Sequence, residues 1–182
     1  MTDFRQEHPD GVILAVDEMS LYFQATMSRV WSPIGQTPQV WVAAQRQYVN
    51  FYGALDLLTG CVFSLSLPKQ NGEMTVHFLQ HLLTCLPQRP ILLLWDRASW
   101  HKGKAKAFVD QHPRLQMLYF PVGCPDLNPQ EHVWKLTRQA VSHNHICSTF
   151  GQLRQAFHHH LETTCFKIDW IKRYLLPSLC EV

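Results

Sequence analysis

The chain has 182 residues, of which 46% are hydrophobic and 16% charged, with 8 Gly and 11 Pro. That is one domain's length with enough apolar mass for a core, which excludes a disordered, collagen-like or low-complexity protein. The 16 Lys and Arg against 14 Asp and Glu give a formal net charge of +2. This excludes a strongly basic nucleic-acid coat but leaves room for a DNA enzyme whose acidic site offsets basic flanks.

No apolar run approaches the ~20 residues of a membrane-spanning helix, and the polar, acidic N-terminus lacks the apolar core of a signal peptide. A cytoplasmic protein without a membrane partner is the expectation. Cys61, Cys85, Cys124, Cys147, Cys165 and Cys180 form no C-x-x-C pair. They read as reduced thiols, most of them buried small hydrophobes.

In chain order, Val12–Val16 is a short β-branched run that stops at Asp17 and Glu18. It predicts a buried strand with carboxylates at its C-terminal end. Residues 31 to 38 carry turn residues and predict an ordered loop. Residues 48 to 55 and 61 to 67 predict an antiparallel hairpin around Leu58-Thr59-Gly60, with Asp56 as a turn residue. Residues 73 to 86 have helical apolar spacing, and Pro87 ends them. Ile91–Trp95 predicts a second buried strand, again stopping at an acid, Asp96. Then follow a helix over 103–111, a strand over 115–120, a loop over 121–128, and helices over 129–143, 150–163 and 168–176. With no internal repeat and no linker, this order predicts an α/β fold: a single domain over 1–182, its mixed sheet flanked by helices.

Three acids stand out. Asp17 and Asp96 each follow an apolar strand, and Glu131 lies in the first turn of the helix opened by Asn128-Pro129. A strand-end acid costs desolvation energy unless it is paired or binds a cation, and a divalent metal relieves the repulsion among converging carboxylates. Mg²⁺ suits such an all-oxygen site, and two ions a few Å apart can assist phosphoryl transfer. Taken singly, Asp17 and Asp96 are also compatible with ordinary strand ends, and Asn128-x-x-Glu131 with a capping box.

The words around these acids decide between the readings. Val16-Asp17-Glu18, Trp31-Ser32-Pro33-Ile34-Gly35-Gln36, Tyr52-Gly53-Ala54-Leu55, the run from Trp95 through Asp96 and His101 to Gly103, and Pro125-Asp126-Leu127-Asn128-Pro129-Gln130-Glu131 through Trp134 occur in that order. Together they resemble the catalytic domain of the mariner superfamily of DDE transposases, especially its bacterial insertion-sequence branch. The spacing between Asp96 and Glu131 is one this superfamily uses.

The resemblance implies a ribonuclease H-like fold and a catalytic, metal-holding triad of Asp17, Asp96 and Glu131. Two Mg²⁺ or Mn²⁺ ions are implied, with DNA cleavage and strand transfer at transposon ends as the reaction. Its partners would be double-stranded DNA, both transposon ends and target, a separately encoded helix-turn-helix half and a second copy of the chain. No helix-turn-helix domain is expected within residues 1–182, and the bound protein would sit at the bacterial nucleoid. His101, Lys102, Asn128 and Arg97 are the supporting or DNA-contacting candidates, with Lys104 and Lys106 nearby. Trp100 and Trp134 read as core or wall residues. Arg97 stands where many relatives have Asn. Two alternatives remain: a zinc enzyme using His77 and His81, and a degenerate or domesticated domain that binds DNA or a partner without catalysis.

Overall fold

The computed structural model describes residues 1–24, 29, 31–37, 39 and 46–167. Its first strand, β1 (Val12–Tyr22), runs well past the apolar residues that announce it. The polar residues do not stop it because they alternate. Leu14 and Val16 pack in one core, while Met19 and Leu21 pack in another on the opposite face. Asp17 is therefore a mid-strand residue, which corrects the expectation of a strand-end acid.

β2 (Tyr48–Asp56) pairs antiparallel with β1 along its whole length, from Leu14↔Asp56 to Tyr22↔Tyr48. β3 (Val62–Leu67) returns antiparallel through the predicted turn. Gly60 takes φ +74 there, and the buried Asp56 accepts hydrogen bonds from the Leu58 and Thr59 amides. It is the turn residue the sequence suggested.

On the other side of β1 lie β4 (Ile91–Trp95) and then β5 (Leu115–Tyr119), both parallel. The sheet order is β3-β2-β1-β4-β5.

Helices cover both faces. α2 (Gly72–Cys85) and α3 (Lys104–Gln111) close the face carrying Val12, Leu14, Val16 and Tyr52, through Phe78, Leu79, Leu82 and Val109. Asn71 caps α2 by accepting from the Glu73 and Met74 amides. α4 (Pro129–Thr137) and α5 (Phe150–Thr163) close the opposite face, where Val133, Trp134, Leu153 and Phe157 meet Met19, Leu21 and Phe51. A smaller cluster of Phe4, Ile13, Leu92, Leu94 and Phe120 brings in α1 (Thr2–Glu7), which the polar N-terminus did not announce.

Further differences are local. The predicted 129–143 helix is α4 followed by a π-type turn, Arg138–Ser142, whose wider hydrogen bond runs from the His143 amide to the Arg138 carbonyl. Residues 31–37 are irregular, as expected, with Trp31 and Ile34 fully exposed. Position 38 and the predicted helix 168–176 lie outside the described residues.

The expectation that most cysteines are buried is overturned for the five described; Cys180 lies outside the described residues. Cys61, Cys85 and Cys165 are exposed, and Cys124 and Cys147 half-buried, all with free thiols. They sit at turns and element ends, where the chain reaches the surface. Among the described residues, no helix is long and apolar enough to cross a membrane.

α4 approaches the sheet over Gly53, the β2 partner of Asp17. A Cβ there would lie 2.4 Å from the Trp134 ring and 2.5 Å from Gln130 Nε2. Gly53→Ala must push α4 outward. The expected cost is about 1–3 kcal/mol of overpacking, or a melting temperature lower by roughly 2–12 °C for a chain of this size. At Gly72, the first residue of α2, a Cβ would meet its nearest neighbour at an ordinary 3.5 Å. Gly72→Ala is expected to be neutral or stabilising, and thermal melts of the two variants check the contrast.

Candidate active site

Parallel pairing between β1 and β4 ends at Ala15↔Leu94. Extending that register by two residues sets Asp17 beside Asp96. β4 stops there, while β1 continues, supported by β2. A cleft of about 250 Å³ opens at this point, lined by Asp17, Asp96, Arg97, Asn128, Glu131 and the 120–124 segment. Asp17, Asp96 and Glu131, far apart in sequence, thus share one cavity at one end of the sheet. A second, larger cleft of about 580 Å³ lies on the other side of Asp17 and Glu131, with Ser20, Lys135, Arg138 and His143 among its walls.

Each acid is held differently. Asp17 Oδ2 accepts from Trp134 Nε1 at 3.0 Å. Burial, then the charges of Glu18 and Glu131, push its carboxyl up to about 7 against the hydrogen bonds that favour the anion. Glu131 is raised above the ordinary carboxylate range by burial and by the charges of Asp126 and Asp96. Asp96 is held below that range, chiefly by its hydrogen bond from His101. Asp96 Oδ1 receives both His101 Nδ1 at 2.6 Å and the Ala98 amide at 3.0 Å. Its other oxygen has no hydrogen-bond donor among the described residues.

Asn128 connects the helix-borne acid to the strand-borne one. Its Oδ1 accepts from the Gln130 amide, capping α4, and its Nδ2 donates to the Val16 carbonyl beside Asp17. The cap bond goes to Gln130, and Glu131 faces the cleft, so the bare capping-box reading of Asn128 and Glu131 does not describe this helix. The full capping box is at α5, between Thr149 and Gln152.

The remaining candidates separate. Arg97 lines the smaller cleft with its guanidinium carbon 5.3 Å from the Tyr119 ring centre. His101 is fully buried, and its two ring nitrogens meet Asp96 and Glu18, so it does not approach a phosphate. Lys102 and Lys104 are exposed at the start of α3, outside the cleft linings. Lys106 pairs with Asp110 at 2.6 Å.

Trp134 is a core and wall residue, as the sequence suggested, and Trp100 is half-buried. Both also donate an indole N–H to a carboxylate, Trp134 to Asp17 and Trp100 to Glu18. Glu18 and Lys135 were missed as site-proximal residues. The signal for Glu18 was its place directly after Asp17.

Among the described residues, no three His, Cys, Asp or Glu side chains are closed around a single point. His77 of the zinc alternative is exposed, and no third ligand gathers with it and His81 among the described residues. His81 contacts Cys85 at 3.5 Å, and His158 pairs with Glu162 at 3.1 Å.

Solved structures share this architecture. The Mos1 transposase paired-end complex with left transposon end aligns at a TM-score of 0.67 and 14% identity, covering 90% of this chain and 51% of that one. The Mos1 mariner paired-end complex with Mn aligns at 0.64 and 14% identity, covering 84% and 48%. The fold is the ribonuclease H-like fold of a transposase catalytic domain. The chain belongs to the DDE superfamily endonuclease family, whose sequence profile matches residues 12–154. It is also similar to the insertion element IS630 uncharacterized 39 kDa protein of Shigella sonnei, at 26% identity over 159 residues, 86% of this chain and 46% of that protein. The chain spans about half the length of these relatives.

The raised pKa of Asp17 carries a stability consequence. Its proton is held until about pH 7 in the folded chain, against 3.8 for the ordinary group. Between those values the folded state binds more protons than the unfolded state, so stability falls as pH rises through the window. In chelator, Asp17→Asn is expected to raise the melting temperature by several degrees at pH 8 and to change it little at pH 3, below both values. Thermal melts at the two pH values check this, and an equal effect at both would contradict the assignment.

Proposed function

We propose that Asp17, Asp96 and Glu131 are the catalytic, metal-holding triad of a DNA-cleaving and strand-transferring enzyme acting in DNA transposition. The supporting observation is the convergence of these three carboxylates, from β1, the end of β4 and α4, on one cleft. The donor set fits Mg²⁺ or Mn²⁺. It is all hard oxygen, and Asp17, raised by burial and then by the charges of Glu18 and Glu131, is an anion that a cation would stabilise. A Mos1 complex with Mn has the same fold, which is consistent with such a donor set.

Two bound divalent ions would supply activation of the attacking oxygen and charge neutralisation at the leaving one. The chain's own residues do the positioning. Trp134 and Asn128 fix Asp17 and the α4 terminus relative to β1. Asp96 offers its oxygen at the β4 end, and Glu131 closes the cleft from the helix. Arg97 beside Asp96, and Lys135 and Arg138 in the adjoining cleft, are placed to meet DNA phosphates on either side of the acids. Phosphate contacts of this kind carry no direct sequence information. Choice of transposon ends therefore falls to a helix-turn-helix partner, which reads bases in the major groove. A homodimer would bring two transposon ends together.

Nicking of duplex DNA is expected to require Mg²⁺ or Mn²⁺ and to fall about 10²–10³-fold in Asp96→Asn, the loss expected for a preorganised charge-stabilising group. A plasmid-nicking assay reads both, and undiminished cleavage by the variant would refute the triad. For binding, Lys135→Ala should weaken duplex affinity without altering sequence preference. It should also reduce the slope of log affinity against log salt by about 0.9, one phosphate contact's worth. Titrations at several salt concentrations check it.

A further inference from the structure

We propose that Glu18 is a fourth essential acid of this site, one that orients Asp96 through His101 from the far face of the sheet without touching metal. The inference rests on the reading of Asp96 as a metal-holding residue.

Strand alternation sends Asp17 and Glu18 to opposite faces. Asp17 shares its face with Met19 and Leu21, towards α4, and Glu18 shares its face with Val16 and Tyr52, towards α2. The Glu18 side chain is only 4% exposed. Two donors occupy it: His101 Nε2 at 3.0 Å to Oε1, and Trp100 Nε1 at 3.0 Å to Oε2. The other His101 nitrogen, Nδ1, lies 2.6 Å from Asp96 Oδ1. An imidazole facing a carboxylate at each nitrogen donates from both, so it is a rigid two-ended strut.

The strut is itself fixed. Its ring lies 4.1 Å from the Trp95 ring, its side chain is 0% exposed, and the Tyr119 hydroxyl donates to its carbonyl. Asp96, by contrast, has a 53% exposed side chain in the segment that follows β4. Besides His101, only the Ala98 amide engages that carboxylate among the described residues.

The chain Trp100–Glu18–His101–Asp96 therefore transmits order from a buried carboxylate to an exposed one. A simple stabilising role accounts for it poorly, because burying an ion pair costs about as much in desolvation as it returns. Outer partners that set the orientation of ligands are the known use of such arrangements, and losing one typically lowers metal affinity about 10–100-fold.

The test is Mn²⁺ binding to the full 182-residue chain without DNA, followed by electron paramagnetic resonance, with a thermal melt of every variant. Asp96→Asn should abolish the strong site. Glu18→Gln should weaken Mn²⁺ about 10–100-fold in a chain that still melts cooperatively. His101→Asn keeps a donor near the Nδ1 position but severs the link to Glu18, and should also weaken binding. The double variant should be no worse than the weaker single one, because both cut the same strut. Trp100→Phe removes one Glu18 donor from a half-buried position. It should give a smaller loss in the same direction, and it decides the matter if Glu18→Gln does not fold.

If Asp96→Asn loses Mn²⁺ while the Glu18, His101 and Trp100 variants bind within twofold of the parent, the positioning role is overturned and the triad stands. Fully additive losses in the double variant would likewise overturn it. If Asp96→Asn binds as the parent does, the triad reading fails and takes this inference with it.

Discussion

Mutual repulsion among crowded carboxylates, added to the burial of Asp17 and Glu18, is the constraint on which this structure turns. Asp17, Glu18, Asp96 and Glu131 gather where β4 ends and β1 runs on, and the charges of Glu18 and Glu131 act on Asp17 while that of Asp96 acts on Glu131. No residue in a well-packed core needs such crowding. A fold tolerates it only if the surrounding donors and packing hold the acids in place, and here they do. Trp134, Trp100, His101 and Asn128 each spend a polar hydrogen at this end of the sheet, on a carboxylate or on the backbone beside one.

Much of the positioning follows from register. Parallel strands in adjacent positions put equivalent residues side by side on the same face, so the β1–β4 pairing alone carries Asp17 to Asp96. The third acid needs a different device, because it comes from a helix on one face. The β2 residue opposite Asp17 is Gly53, and the lack of a side chain there lets Trp134 and Gln130 settle directly on the sheet. The same contact brings the Trp134 indole to Asp17 and turns Glu131 into the cleft. Packing and charge placement at α4 are thus one geometric event.

The sequence made the elements legible wherever periodicity was strong. The buried strand 91–95, the hairpin at Gly60 and the helices at 72–85 and 150–163 all lie where their apolar spacing put them, whereas 115–119, which its apolar run suggested to be buried, is an edge strand with Gln116 and Leu118 exposed. It failed where a local signal was ambiguous. The acids at 17 and 18 looked like a strand terminus because polarity usually ends a buried run. In β1 they are tolerated because antiparallel pairing with β2 continues and each finds an indole or imidazole donor. The π-type turn after Thr137 has no sequence mark, since its residues suit an ordinary helix equally well. The cysteines misled for a related reason. Their type favours burial, but their positions at turns and element ends decided the outcome. For the site, Asp17, Asp96 and Glu131, which line one cleft, were legible through the motif words around them, while the strand-end reading of Asp17 did not hold. The roles of Trp100, Trp134 and Glu18 were not, because a hydrogen bond between residues so distant in sequence leaves no spacing to read.

Arg97 shows how such a site can be adjusted without moving its acids. It directly follows Asp96 in the cleft wall, yet the His101 bond, and not this cation, is the main influence on Asp96. Its guanidinium lies over Tyr119, a position worth about 0.5–1 kcal/mol where solvent reaches it. So weak a hold keeps the charge near the acids but free to leave for a stronger anion. A phosphate entering the cleft offers that anion, together with the bidentate geometry a guanidinium prefers. Under the proposed function the cation would add attraction for an incoming strand from a place beside the acids. An Asn at this position, common in the relatives this sequence resembles, would supply hydrogen bonds but no such charge. The geometry of the three acids is left to the sheet and to α4.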